Sequence, residues 1–128
     1  MGELLGNGVR FGQAETVMIA GEGIETILSL RQILPAMPMI AALSAGHLGA
    51  LQLQPTLRRL YIARDNDDVG RQAAAALAAR AQEAGIEPLL LDAKLGDFND
   101  DLRRIGPDAM RADIRVQLAP EDAERFIG

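Results

Sequence analysis

Short apolar runs recur along the chain, each closed by glycine or acidic residues, with amphipathic stretches between them. Thr16-Val17-Met18-Ile19-Ala20 leads into Gly21-Glu22-Gly23, and Pro38 to Leu43 closes on Ser44-Ala45-Gly46. Leu60 to Ala63 leads into Arg64-Asp65-Asn66-Asp67-Asp68-Val69-Gly70, and Ile86 to Leu91 precedes Gly96-Asp97-Phe98-Asn99-Asp100-Asp101. Brief runs bounded by turn formers are the pattern of buried parallel strands. Between them the spacing lengthens to that of helices. Glu22 to Leu34 reads as a helix with Ile24, Ile27, Leu28 and Leu34 on one face, stopped by Pro35. Leu48 to Leu53 reads as a short helix. Asp68 to Ala84 gives the strongest helix signal. Seven alanines in Ala73–Ala81 raise propensity, Asp67 and Asp68 favour its start, and Gly85 is placed to end it. Asp97 to Arg104 reads as a loop entering a helical turn, and Pro107 opens a last helix through Leu118. Strands alternating with helices predict an α/β fold: a mainly parallel sheet of about four strands, flanked by helices and joined by right-handed crossovers.

The ends differ from this middle. Met1 to Glu15 is rich in glycine around one short run, Val9-Arg10-Phe11, and reads as a loop with one edge strand. The stretch from Ala119 is polar and is expected to fray. The pattern divides the chain into a Gly-rich segment over 1–14, one domain over 15–118 and a polar tail over 119–128.

With 48% hydrophobic residues in 128, the chain has enough apolar surface for one globular core. Cysteine and tryptophan are absent, which excludes a disulfide framework and a cysteine-based zinc site. That absence, and an opening without the pattern of a secretory leader, give a cytoplasmic expectation. The longest apolar stretch, around Pro35 to Leu43, holds two prolines and falls short of the roughly 20 residues of a membrane span. Net charge is −5, whereas a self-sufficient nucleic-acid binder carries a basic face. Either the chain does not bind nucleic acid, or metal ions and companion domains supply the missing positive charge.

The acidic residues after the strands are the candidates for chemistry. Asp65 and Asp67 lie two apart, so in extended backbone their carboxylates share one side and can share a metal ion. Gly70 then permits tight geometry or the close approach of a ligand. The same tetrapeptide also reads as a turn with a helix cap. Glu22, between two glycines at a strand end, projects from the sheet edge; an acid in a helix's first turn is the alternative, and Glu25 suits it better. Asp97 and Asp100 belong to a third acidic group that also reads as a helix-capping loop. Carboxylates from neighbouring strand ends make an oxygen-rich pocket suited to Mg²⁺ and phosphate chemistry. His47 reads as structural or solvent-exposed, and Lys94 as a solvated loop residue or a phosphate contact. Arg64 and Arg71 either touch phosphate or pair with the adjacent acids. Met18, Met37, Met39 and Met110 read as core filler.

This set resembles the Toprim domain, shared by bacterial primases, type IA and type II topoisomerases and some nucleases. In that family a Glu-Gly follows the first strand, as Glu22-Gly23 does, and an Asp-x-Asp-x-x-Gly follows a later one, as Asp65, Asp67 and Gly70 do. Gly23-Ile24-Glu25-Thr26, Leu28-Ser29-Leu30, Ala42-Leu43-Ser44-Ala45-Gly46 and Asp97-Phe98-Asn99-Asp100 are similar to the Toprim module of plasmid- and phage-type primases. The likeness runs from about Gly8 to Leu102. It implies Mg²⁺-dependent phosphoryl or nucleotidyl transfer on nucleic acid, with Mn²⁺ able to substitute. Glu22 would be the general acid or base, and Asp65, Asp67 and Asp97 would hold metal. Glu25, Gly70, Arg71 and Asp100 would be accessory. A complete primase also carries a zinc-binding region and a basic polymerase subdomain, and neither fits in this chain. The resemblance therefore implies a catalytic part that meets nucleotides and nucleic acid through companion domains, with a helicase a further possible neighbour, and that is inactive alone.

Three other readings compete. Within the family, nuclease and topoisomerase roles are the alternatives; the only tyrosine, Tyr61, lies inside a strand and makes a poor nucleophile. Asp65-Asn66-Asp67-Asp68-Val69 also matches haloacid-dehalogenase-type phosphatases. Those enzymes begin on that strand and need Ser/Thr and Lys elements that about 30 residues of mostly one helix cannot hold. The third is a non-catalytic metal-binding docking module.

Overall fold

The computed structural model describes residues 3–4, 8–12, 16–64 and 68–127. Its strands are β1 (Glu3–Leu4), β2 (Val9–Phe11), β3 (Val17–Gly21), β4 (Met39–Ala41), β5 (Arg59–Arg64) and β6 (Glu87–Asp92). They form one sheet in the order β1-β2-β4-β3-β5-β6. The four strands β4, β3, β5 and β6 run parallel and are those expected from the apolar runs. Val9–Phe11 is a strand as expected, but it pairs antiparallel on both sides, with β4 and with β1. The two-residue β1 is too short to leave a periodic signal.

Alternate residues of each parallel strand go to opposite faces, and helices cover both. Val17, Ile19, Tyr61, Ala63 and Leu91 pack with residues of α1 (Ile24–Ile33) and α4 (Phe98–Arg115). Met18, Ala20, Leu60 and Ile62 pack with residues of α2 (Ala45–Gly49) and α3 (Asp68–Glu83). Met18, Met37, Met39 and Met110 are buried in these two cores. Each fully buried aliphatic side chain contributes roughly 1.5–3 kcal/mol before entropy is counted. Gly85 ends α3 at φ +80°, as its position suggested.

Four expectations need correction. Leu28 is 43% exposed, because α1 turns Thr26, Ile27, Ser29, Leu30 and Ile33 inward, wedged between the sheet and α4. The short helix after β4 starts earlier, at Ala45, since the Ser44 hydroxyl accepts from the His47 N–H (3.1 Å) and caps it. His47 itself is exposed. The stretch from Ala119 is not frayed: α5 (Pro120–Phe126) starts on a proline and buries Asp122 and Ala123. The helix expected from Pro107 is the second half of α4, which breaks at Gly106 (φ 87°, ψ 164°).

A buried polar network holds α5. The Tyr61 hydroxyl donates to Asp122 Oδ2 (2.5 Å) and accepts from the Ala119 N–H (2.9 Å). Arg59 donates to Glu87 (2.9 Å), Asp122 (2.8 Å) and Glu121 (2.8 Å). Burial raises the Tyr61 pKa, and the bond to Asp122 adds to that. Burial opposes the Arg59 charge, but its three carboxylate bonds outweigh it and raise its pKa. At the end of the sheet, the Gln117 side chain lies along β6. Its Oε1 accepts from the Asp92 N–H (2.8 Å) and its Nε2 donates to the Asp92 carbonyl (3.0 Å).

Candidate metal and phosphoryl-transfer site

The site is built on the carboxyl ends of the parallel strands. Gly21 pairs with Ala41 on one side and Ala63 on the other. Glu22 therefore leaves β3 at the level where β5 ends in Arg64, the residue before Asp65. Arg64 in turn pairs with Asp92 of β6. The three acidic segments thus follow three adjacent strands, β3, β5 and β6. At about 4.8 Å per strand, the outermost two of these are separated by about 10 Å. The strands that the sequence argument took as neighbours are neighbours.

Glu22 is partly exposed, and the backbone around it is pinned. The Ala42 N–H donates to the Gly21 carbonyl (2.8 Å) and the Leu43 N–H to the Glu22 carbonyl (2.6 Å). A Cβ on Gly21 would lie 3.0 Å from Ile27 Cδ1, so a side chain here would press on the Ile27 side chain of α1. Leu43 makes its bond at φ 78°, in the left-handed region, with its side chain 49% exposed at the rim. Glu25 is exposed in the first turn of α1, where its carbonyl accepts from the Ser29 hydroxyl (2.9 Å). Asp65 and Asp67 lie outside the described residues. Gly70 is buried in the first turn of α3.

The nearby cations are engaged by local acids. Arg64 grips Asp92 with Nε (2.8 Å) and Nη2 (3.0 Å), and those bonds raise its pKa. Arg71 donates to Asp68 (2.8 Å). Arg71 thus pairs with an adjacent acid, as one of its two readings had it, whereas Arg64 reaches across to Asp92 of β6 instead of to its sequence neighbours. Lys94 is exposed.

Asp97 caps α4, its Oδ1 accepting from the Asp100 N–H at 2.7 Å. Asp97 Oδ2 carries no hydrogen bond to any described residue. Asp100 receives Arg103 at 3.3 Å. Asn99 meets the Ser29 hydroxyl of α1 at 3.5 Å, which ties the start of α4 to the helix that follows Glu22. Sequence reasoning counted Asp101 in the third acidic group but not among the site residues; it is 1% exposed and accepts from the Lys94 and Leu95 N–H groups. The available signal was its helical spacing from Phe98, three residues earlier, which faces the same core.

Carboxylates at strand ends are hard oxygen donors of the kind Mg²⁺ and Mn²⁺ take, and Asp97 offers one oxygen beyond its structural bond. The donor chemistry fits a divalent cation. Among the described residues, no three His, Cys, Asp or Glu side chains come together in a group able to hold a metal. Of the expected set, Glu22 and Asp97 are described; Asp65 and Asp67 are not. No helix among the described residues is long and apolar enough to cross a membrane.

The family model "Toprim domain" matches residues 17–108. Among solved structures, the chain is similar to a DNA primase domain from Pseudomonas aeruginosa, with 24% identity and a TM-score of 0.57. The match covers 80% of this chain and 33% of that one, so the chain spans about a third of that primase domain's length. No curated protein gives a significant match.

Proposed function

Because this chain belongs to the Toprim family, we propose that it is the Mg²⁺-dependent phosphoryl- or nucleotidyl-transfer part of a larger nucleic-acid enzyme, closest in kind to a DNA primase. The observation that carries this reading is the succession of acidic segments on three adjacent parallel strand ends. Glu22 exchanges the proton of the attacking or leaving hydroxyl. Asp65, Asp67 and Asp97 are the residues that would hold one or two divalent cations, Mg²⁺ with Mn²⁺ able to substitute. When bound, the cation polarises the phosphoryl oxygen and offsets charge growing in the transition state. Glu25, Gly70, Arg71 and Asp100 are accessory: they shape the rim and balance its charge.

Net charge of −5, and arginines committed to Asp92 and Asp68, leave the nucleic-acid backbone to be held by companion domains. The match leaves two thirds of the similar primase domain uncovered, which agrees with that division of labour. The phosphatase reading is disfavoured because α3 and β6 take up most of the chain between Asp67 and Asp97.

The test has two arms. Calorimetric titration with Mn²⁺ should give saturable binding that weakens in Asp65→Asn and Asp67→Asn. With companion domains present, Glu22→Gln should cut nucleotidyl transfer by about 10²–10⁴-fold while Mn²⁺ binding persists. Absent Mn²⁺ binding, or undiminished turnover in the Gln variant, refutes the assignment.

A further inference from the structure

Building on the reading of Asp97 as a metal-holding residue, we infer that Asp101 is a positioning residue. It fixes the loop between β6 and α4 and so aims the Asp97 carboxylate at the cation. Asp101 lies in the first turn of α4 and is 1% exposed. Its Oδ2 accepts from the Lys94 N–H (2.7 Å) and its Oδ1 from the Leu95 N–H (2.8 Å). Its own N–H donates to the Asp97 carbonyl at 3.1 Å. One residue therefore ties the loop at both ends, at Lys94 and Leu95 on one side and at Asp97 itself on the other.

The chemistry calls for a carboxylate at this position. Two N–H groups converge on the two oxygens of one buried side chain, and a buried donor left without an acceptor is costly. Asparagine offers one acceptor and turns its NH₂ toward the second donor. The negative charge is held by amide dipoles and by the amino end of α4. With both oxygens engaged, Asp101 does not itself serve as a ligand. Its neighbours confirm the division: Asp97 spends Oδ1 on the Asp100 N–H, so the direction of Oδ2 is set by the loop that Asp101 holds.

A double-mutant cycle on Mn²⁺ affinity tests this, using the wild-type chain, Asp97→Asn, Asp101→Asn and the pair, with amide exchange followed at Lys94 and Leu95. Asp101→Asn should weaken Mn²⁺ binding about tenfold, as loss of a residue supporting a ligand does. In the Asp97→Asn background the further loss should stay below about twofold, because the effect runs through Asp97. Exchange at the two amides should quicken, and Asp101→Glu, which keeps two acceptors, should restore part of both properties. A general loss of stability would not produce that non-additivity. Wild-type affinity in Asp101→Asn, or an equal loss with and without Asp97, overturns the inference. An Asp97→Asn variant with unchanged affinity instead removes the metal reading of Asp97, and the inference falls with it. Should Asp101→Asn fail to fold, Asp101→Glu carries the same cycle.

Discussion

The two edges of one parallel sheet handle charge in opposite ways. At the amino edge, Arg59 opens β5 and is held by three carboxylates, while the Tyr61 hydroxyl and the Ala119 amide complete the set around Asp122. At the carboxyl edge, acids follow β3, β5 and β6 in succession, and Arg64 is spent on Asp92. Asp97 keeps an oxygen that no described residue satisfies, and Leu43 sits at φ 78° with its side chain half in solvent. The amino edge closes its own accounts locally and so stabilises the fold. The carboxyl edge leaves an Asp97 oxygen unmatched among the described residues, and acidic residues alone would not have told the two apart.

Cutting the amino-edge network is the strongest way to test this contrast. Asp122→Ala leaves the Tyr61 hydroxyl and part of the Arg59 guanidinium without their buried partner and should cost about 3 kcal/mol, read by urea unfolding. Mn²⁺ affinity should not change, because the network lies at the other end of the strands. A matching loss of Mn²⁺ binding in folded protein would dissolve the distinction.

A smaller effect comes from Tyr61, the only tyrosine and so a probe without background. Burial and its bond to Asp122 raise its pKa above the ordinary 10, so the folded state favours the protonated phenol. That contribution to stability is complete below pH 10 and is lost as pH rises toward the folded value. Tyrosinate absorbance should therefore appear together with unfolding rather than at the ordinary value. Tyr61→Phe should cost about 1 kcal/mol.

The smallest effect is at the carboxyl rim. Asparagine tolerates the left-handed region better than leucine, and a half-exposed side chain gives up little burial. Leu43→Asn should therefore gain about 0.5 kcal/mol in the same unfolding experiment. A loss would mean that Leu43 packs into the fold rather than serving the rim.

The parts legible in the sequence were those with a strong periodic or punctuation signal. Four apolar runs became four parallel strands, and the alanine-rich segment became α3 with Gly85 at its end. The order of acidic segments pointed to one sheet edge, and the strand order places β3, β5 and β6 side by side there. What escaped depended on tertiary partners. Pro120 to Phe126 is polar on average, but Asp122 is drawn inward by Arg59 and Tyr61, whose pairing no local pattern reveals. Leu28 fits an apolar stripe by composition, yet α4 claims the neighbouring face and leaves it outside. Asp101 is one acid in a row of acids, separable only by the direction in which the helix turns it.

The side chain of Gln117 settles how this sheet ends. A last strand usually offers its outward amides and carbonyls to whatever polypeptide comes alongside. Here the outward pair at Asp92 is already matched by the Gln117 amide. Four residues earlier, in the same outward phase, Pro88 has no hydrogen to give. Only the main-chain groups of Leu90 keep both halves of the invitation, too few to seat a second copy in register. That border of the sheet therefore offers a second copy little main chain to pair with.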